Sequence, residues 1–135
     1  MIYLGVSEAG AYAVIDGDKV EVRSCSGNSL FQRMHNLKAS NTRCVIEMTN
    51  PRVETAALPQ SASEVAYKIC RMRNLPFMVV KRGTWEREFK MDGSPVALCK
   101  SIFPGVEIET RADAADGVSP EANALLLAEY ARRSL

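Results

Sequence analysis

Residues able to do chemistry are few in this chain, and most fall into no known arrangement. Glu47 closes an apolar run, RCVIEM at 43–48, and reads as a strand-end carboxylate, solvated or hydrogen-bonded. His35 is the one histidine, and no Cys or Asp stands at a telling distance from it, so a helix-surface or partly buried imidazole is favoured over a catalytic base. Cysteines stand at 25, 44, 70 and 99 without a CxxC pair, which excludes the common zinc patterns and reads as four reduced, mostly buried thiols. Ser7 and Ser119 make no serine hydrolase, because neither a nucleophile elbow nor a triad accompanies them. Gly5 and Gly10 form neither a dinucleotide fingerprint nor a P-loop.

Charge is more informative in its distribution than in its sum. The net charge of +1 does not announce a nucleic-acid binder. Between residues 68 and 90, however, Lys68, Arg71, Arg73, Lys81, Arg82, Arg87 and Lys90 face only Glu86 and Glu88, while acids outnumber bases from Pro104 onward. The run is either one basic face or an ordinary solvated surface. Trp85, inside it, is a core anchor or a stacking surface, and the apolar area of an indole favours the core.

The elements that must position these groups fit in 135 residues, enough for one domain spanning 1–135 with its own core. Composition is globular, at 47% hydrophobic and 24% charged, and no apolar run reaches the ~18 residues of a membrane helix. The opening MIYLGV has neither a basic n-region nor a cleavable apolar stretch, so a soluble, cytoplasmic protein is expected.

Residues 2–6 (IYLGV), 11–15 (AYAVI) and 20–24 (VEVRS) predict a three-strand meander, with Asp16-Gly17-Asp18 as a hairpin turn. A helix follows from the Gly27-Asn28-Ser29 cap, burying Leu30, Phe31, Met34 and Leu37. Residues 43–48 predict a fourth strand buried on both faces, and a loop through TNPRVETAALPQ leads to a helix capped by Ser61 or Ser63 and running to Asn74. Its expected inner face is Val65, Ile69 and Met72. A fifth strand at 77–81, a helical turn from Gly83, a helix at 95–103 and a short edge segment at 106–110 come next. After a linker of small and acidic residues, Ser119-Pro120 opens a last helix to about Arg133, Ser capping and Pro at its first position. Three strands, helix, strand, helix, strand, then helices describe an α/β fold: a ribonuclease H-like mixed sheet, the meander joined to parallel strands, flanked by helices.

Four segments then carry a family resemblance: YLGVSEAG at 3–10, CVIEMTNP at 44–51, TWEREF at 84–89 with LCKSIFP at 98–104, and ANALLLAEYARR at 122–133. Together they resemble the RuvC-like Holliday-junction resolvases, particularly the small phage-type members. The resemblance implies a homodimeric, metal-dependent nuclease for four-way DNA junctions, in the bacterial host's cytoplasm if phage-encoded, with Mg²⁺ or Mn²⁺ held by converging carboxylates.

Placed residue by residue, the resemblance puts the four acid positions at Ser7, Glu47, Ser119 and Asn123, and only Glu47 is an acid, either a vestigial metal ligand or an ordinary strand-end carboxylate. Glu8 adjoins Ser7 but belongs to the opposite side of an extended strand. Glu121 lies about 200° around a helix from Ser119 and should point away. Asp113 and Asp116 stand in the linker. Where the family commonly carries a lysine directly after the tryptophan and often another at the start of the following helix, this chain has Glu86 and Gly93.

The expectation is therefore a nuclease-deficient RuvC-like homologue that binds rather than cuts, with no cofactor expected. Its homodimer would engage branched or duplex DNA through Arg71, Arg73, Lys81, Arg82, Trp85 and Arg87, or hold a protein partner, which near-zero net charge slightly favours. The alternative is an active Mg²⁺- or Mn²⁺-dependent junction endonuclease, with Glu8, Asp113 or Asp116 gathered around Glu47.

Overall fold

The computed structural model describes residues 1–24, 27–48, 61–89, 94–108 and 119–135, and only the backbone at 27, 28, 82 and 83. In chain order the elements are β1 (Ile2–Ser7), β2 (Ala11–Asp16), β3 (Lys19–Ser24), α1 (Gly27–Met34), β4 (Thr42–Glu47), α2 (Ala62–Arg73), β5 (Phe77–Val80), α3 (Arg82–Glu88), α4 (Pro95–Ile102) and α5 (Pro120–Ser134). The five strands form one sheet in the order β3-β2-β1-β4-β5. β1, β2 and β3 pair antiparallel, and β4 joins β1 and β5 in parallel. This is the meander-plus-parallel arrangement expected from the sequence. Residues 106–108 form no strand, unlike the expected edge segment, and 109–110 lie outside the described residues.

Alternation along the strands sends two apolar sets to opposite faces. Leu4, Val6, Cys44 and Ile46 face α1 and α2, packing with Leu30, Met34, Leu37, Ala66, Ile69 and Cys70. Ala13, Ile15, Val45 and Val80 face the other layer, with Trp85, Cys99 and the Leu125–Leu127 run of α5. β4 is thus buried on both faces, as its composition required.

Two side chains expected inside are outside. Met72 is 76% exposed and Phe31 48%. The buried stripe of α2 centres on Ala66, Ile69 and Cys70, and Met72 lies roughly a third of a turn away from it. Phe31 instead rests against His35, ring centroids 6.2 Å apart.

The caps explain where α2 starts and stops. Ser61 accepts from the Glu64 amide at 3.2 Å, and Asn74 ends the helix at φ 55° with its amide donating to Cys70 O. Cys44, Cys70 and Cys99 are buried free thiols, as expected; Cys25 lies outside the described residues. No described helix is long and apolar enough to cross a membrane.

Candidate functional site

Strand register brings two of the four positions that the family resemblance singles out, Ser7 and Glu47, side by side. Val6 pairs with Ile46, so Ser7 and Glu47 come next on β1 and β4, level with each other. They project to the α5 face, because Gly5 and Val45, two residues earlier, lie under α5 and in its apolar cluster.

Helix α5 brings the other two. Ser7 pairs with Ala11 and Ala11 with Ser24, so all three lie at one end of the sheet. There the Ser24 hydroxyl donates to Glu121 in the first turn of α5. At the opposite end, Tyr3 of β1 lies close enough to Arg132 of α5 to act on its charge. α5 therefore runs antiparallel to β1 and carries Ser119 and Asn123 over the end that Ser7 and Glu47 occupy. Close approach requires Gly5: a Cβ there would lie 2.3 Å from Ala124 O and Ala128 N.

At this end Glu47 is 5% exposed and its carboxylate is engaged on both oxygens. Oε2 accepts the Trp85 indole N–H at 2.7 Å, and Oε1 accepts the Glu8 backbone N–H at 3.3 Å. Its own carbonyl accepts the buried Ser63 hydroxyl at 2.7 Å, tying the first turn of α2 to the end of β4. Ser7, fully buried, accepts the Ala9 amide at 3.3 Å and so holds the turn into β2. Ser119 caps α5, accepting the Ala122 amide at 3.2 Å. Asn123 is 2% exposed, and its Oδ1 has no hydrogen-bond partner among the described residues.

Glu121 corrects the helical-wheel expectation. It is 3% exposed, and its Oε2 accepts from the Ser119 hydroxyl at 3.4 Å. The wheel does not apply because Ser119 is a cap with extended backbone, φ −118° and ψ 112°, not a helical residue. Glu121 serves β3 and the cap, beside a cleft of about 350 Å³ that it lines with Val22, Arg23, Ser24 and Glu107.

Those of the six residues assigned to DNA whose side chains are described do not share one surface. α2 begins beside Glu47 and runs to the other end of the sheet, where β5 starts opposite Cys44. Arg71 and Arg73 lie toward that far end, about 12 and 15 Å along the helix from Ser63. Arg73 donates to the His35 and Leu37 carbonyls, closing α1 against α2, and Arg71 lies over the Tyr67 ring. Lys81, exposed, follows Val80, which pairs with Glu47, and exposed Arg87 lies on the helix that follows. The Arg82 side chain lies outside the described residues.

Trp85 is corrected more sharply. It is fully buried and its N–H is committed to Glu47, so it offers no ring face to a base. The composition of the segment gave no sign of the Trp85–Glu47 bond, which spans 38 residues of sequence.

Comparison with solved structures places the fold. The chain is similar to RuvC of T. thermophilus, in a structure described as a complex with Holliday junction substrate, with a TM-score of 0.53. The likeness covers 99% of this chain and 96% of that one at 13% identity. The architecture is accordingly a ribonuclease H-like, RuvC-like fold. No protein-family model matches the chain, and no curated protein matches its sequence.

Two-metal chemistry asks for several converging carboxylates. The four positions supply one carboxylate, two hydroxyls and an amide, with one hydroxyl used as a helix cap and the other as a turn brace. Among the described residues no group of three His, Cys, Asp or Glu is placed to share an ion. Asp113 and Asp116 lie outside the described residues. The side chains that the structure brings together do not fit a pair of divalent cations.

Proposed function

We propose that this protein is a RuvC-like resolvase homologue of the phage type that no longer cuts DNA and works by binding. The observation that carries the reading is the state of the strand-end site. One acid remains, and Ser7, Ser119 and Glu47 are all occupied in holding backbone and neighbouring side chains together. A site that activates water for phosphodiester hydrolysis needs charge free to meet the ions and the leaving oxygen. Here those atoms do structural work.

The partner supported best is branched or duplex DNA, engaged by a homodimer. The RuvC neighbour is described in complex with a Holliday junction substrate. On this chain Lys81 and Arg87 are exposed at or near the Glu47 end of the sheet, where phosphates would approach. Arg71 and Arg73, at the other end, take no part in that contact.

The test pairs a gel shift on a four-way junction with a cleavage assay in Mn²⁺. The expected result is a shifted band, weakening steeply between low and moderate salt, with no product above a buffer blank. Metal-dependent cleavage overturns the reading in favour of an active endonuclease built around Glu47. Absence of any shift removes DNA and leaves a protein partner at the same surface.

A further inference from the structure

Helix α3 has little reason to exist on its own. It has seven residues, Gly83 stands at its second position, and its N-cap Lys81 makes no side-chain capping bond. Isolated helices this short do not persist in water, so its order comes from what it packs against. Among its anchors are the Trp85 ring and Phe89 in the α5 cluster, the Trp85 indole N–H on Glu47 Oε2, and Arg133 of α5 lying 4.8 Å over the ring of Phe89, which caps the helix. The hydrogen bond is the directional member of this set: it is buried, charge-assisted and 2.7 Å long.

Glu47 is well suited to act as an anchor. Through one residue the end of β4 is joined to three other segments: α3 by Trp85, the turn after β1 by the Glu8 amide, and α2 by Ser63. Two N–H donors, one on each oxygen, fix the carboxylate in rotation as well as in place.

We propose that Glu47 is a positioning residue for the binding surface: its carboxylate clamps Trp85, and the clamp holds α3 so that Lys81 and Arg87 stand in a fixed arrangement beside the sheet end. The carboxylate serves α3 instead of a metal ion. The part of this inference that concerns the binding surface rests on the proposed function; the clamp itself rests on geometry alone.

The test uses the full chain and four variants: Glu47→Ala, Glu47→Gln, Trp85→Phe, and the double variant Glu47→Ala with Trp85→Phe. Hydrogen exchange read by mass spectrometry follows peptides over 82–89 and, as internal controls, over α1 and the C-terminal half of α2. In Glu47→Ala and in Trp85→Phe the α3 amides are expected to exchange at least about tenfold faster while the controls stay within about twofold, with no further gain in the double variant. Glu47→Gln, which keeps one acceptor oxygen for the indole, recovers most of the protection. Trp85→Phe retains most of the apolar volume and keeps the measurement readable if Glu47→Ala does not fold. Unchanged α3 exchange in both single variants overturns the clamp.

Two further readouts separate the clamp from its rivals. Trp85 is the one tryptophan in the chain, so intrinsic emission reports on this site alone. Addition of Mn²⁺ should give no saturable quenching; saturable quenching that Glu47→Gln removes would mean that Glu47 is a metal ligand, and overturns the proposal. In the gel shift, Trp85→Phe should weaken junction binding severalfold although its side chain is buried. If the unmodified protein shifts no DNA, the proposed function loses its DNA partner while the exchange data still decide the clamp.

Discussion

Ser7 and Glu47 stand level on neighbouring parallel strands and project from the same sheet face, one a hydroxyl bracing a turn and the other a carboxylate bound to an indole and an amide. Two acids in these places would repel each other unless a cation stood between them. With a hydroxyl at position 7 the repulsion is gone, and the pair is stable without any ion. The same logic extends to Ser119 and Asn123, which α5 lays over this end of the sheet. Acids at all four places would demand cations, whereas Ser7, Ser119 and Asn123 place no further negative charge beside Glu47.

Gly5 sets how closely α5 lies on β1. Gly5→Ala would force a methyl against backbone atoms 2.3 Å away, which no side-chain rotation relieves. The expected loss is about 3 kcal/mol or more of stability, read as a fall in the urea midpoint or failure to accumulate folded protein. Gly105→Ala, where a Cβ meets nothing within 4 Å, is the control and should change stability little.

Glu129 is fully buried in α5 and is held by Arg132, with Nη2 donating to Oε2 at 2.7 Å and Arg133 4.0 Å from the carboxylate. The hydrogen bond to Glu129 raises the Arg132 guanidinium above its usual range. Arg132→Ala leaves a buried carboxylate with a weaker partner. Because Arg132 is about half exposed, the expected cost is about 1–2 kcal/mol, below the figure for a wholly buried pair. Arg23→Ala, on a pair open to solvent, should cost less than about 1 kcal/mol in the same thermal melt.

The buried thiols should be inert in the folded protein. A hydrogen bond with Cys70, and then burial, push Cys44 well up, and burial pushes Cys99 up to about 12. Thiolate is the reactive form, so iodoacetamide at pH 8 should leave Cys44 and Cys99 unmodified until the chain is unfolded. Site-resolved mass spectrometry reads the result, and alkylation of either at the rate of a free thiol would contradict it.

Glu21 links stability to acid pH. Partial burial pushes its carboxyl up, but hydrogen bonds and charge from Arg33 and Arg23 outweigh this and leave it below its ordinary 4.5. A lowered carboxyl contributes stability above its unfolded value and loses it as pH falls through the folded one. Glu21→Gln should therefore lower the melting temperature slightly at pH 7, and the gap should close as pH falls from 4.5 through the lower folded value. About a third of each side chain is exposed at the Arg33–Glu21 pair, so the effect stays under about 1 kcal/mol.

Local signals made much of this fold legible. Asp16-Gly17-Asp18 marked a hairpin that Gly17 completes at φ 60°, and Ser119-Pro120 marked the start of α5. Sites that depend on which end of the sheet a helix reaches were not legible. The run from 68 to 90 looks continuous in sequence, yet α2 carries Arg71 and Arg73 away from Glu47 and β5 carries the chain back to Lys81. Glu121 departs from the helical wheel because Ser119, as a cap residue, does not follow helical periodicity. Trp85 is a core residue, as the apolar area of an indole favours, and not the DNA contact also expected of it; its polar end has a partner that only tertiary packing supplies.

Calorimetric titration of the full chain with MnCl₂ measures the central issue, whether this sheet end retains divalent ions. With one carboxylate already spanned by two N–H donors, no saturable heat is expected up to millimolar metal, and Glu47→Gln should give the same trace. Two-site binding at micromolar Mn²⁺ that Glu47→Gln abolishes would contradict it.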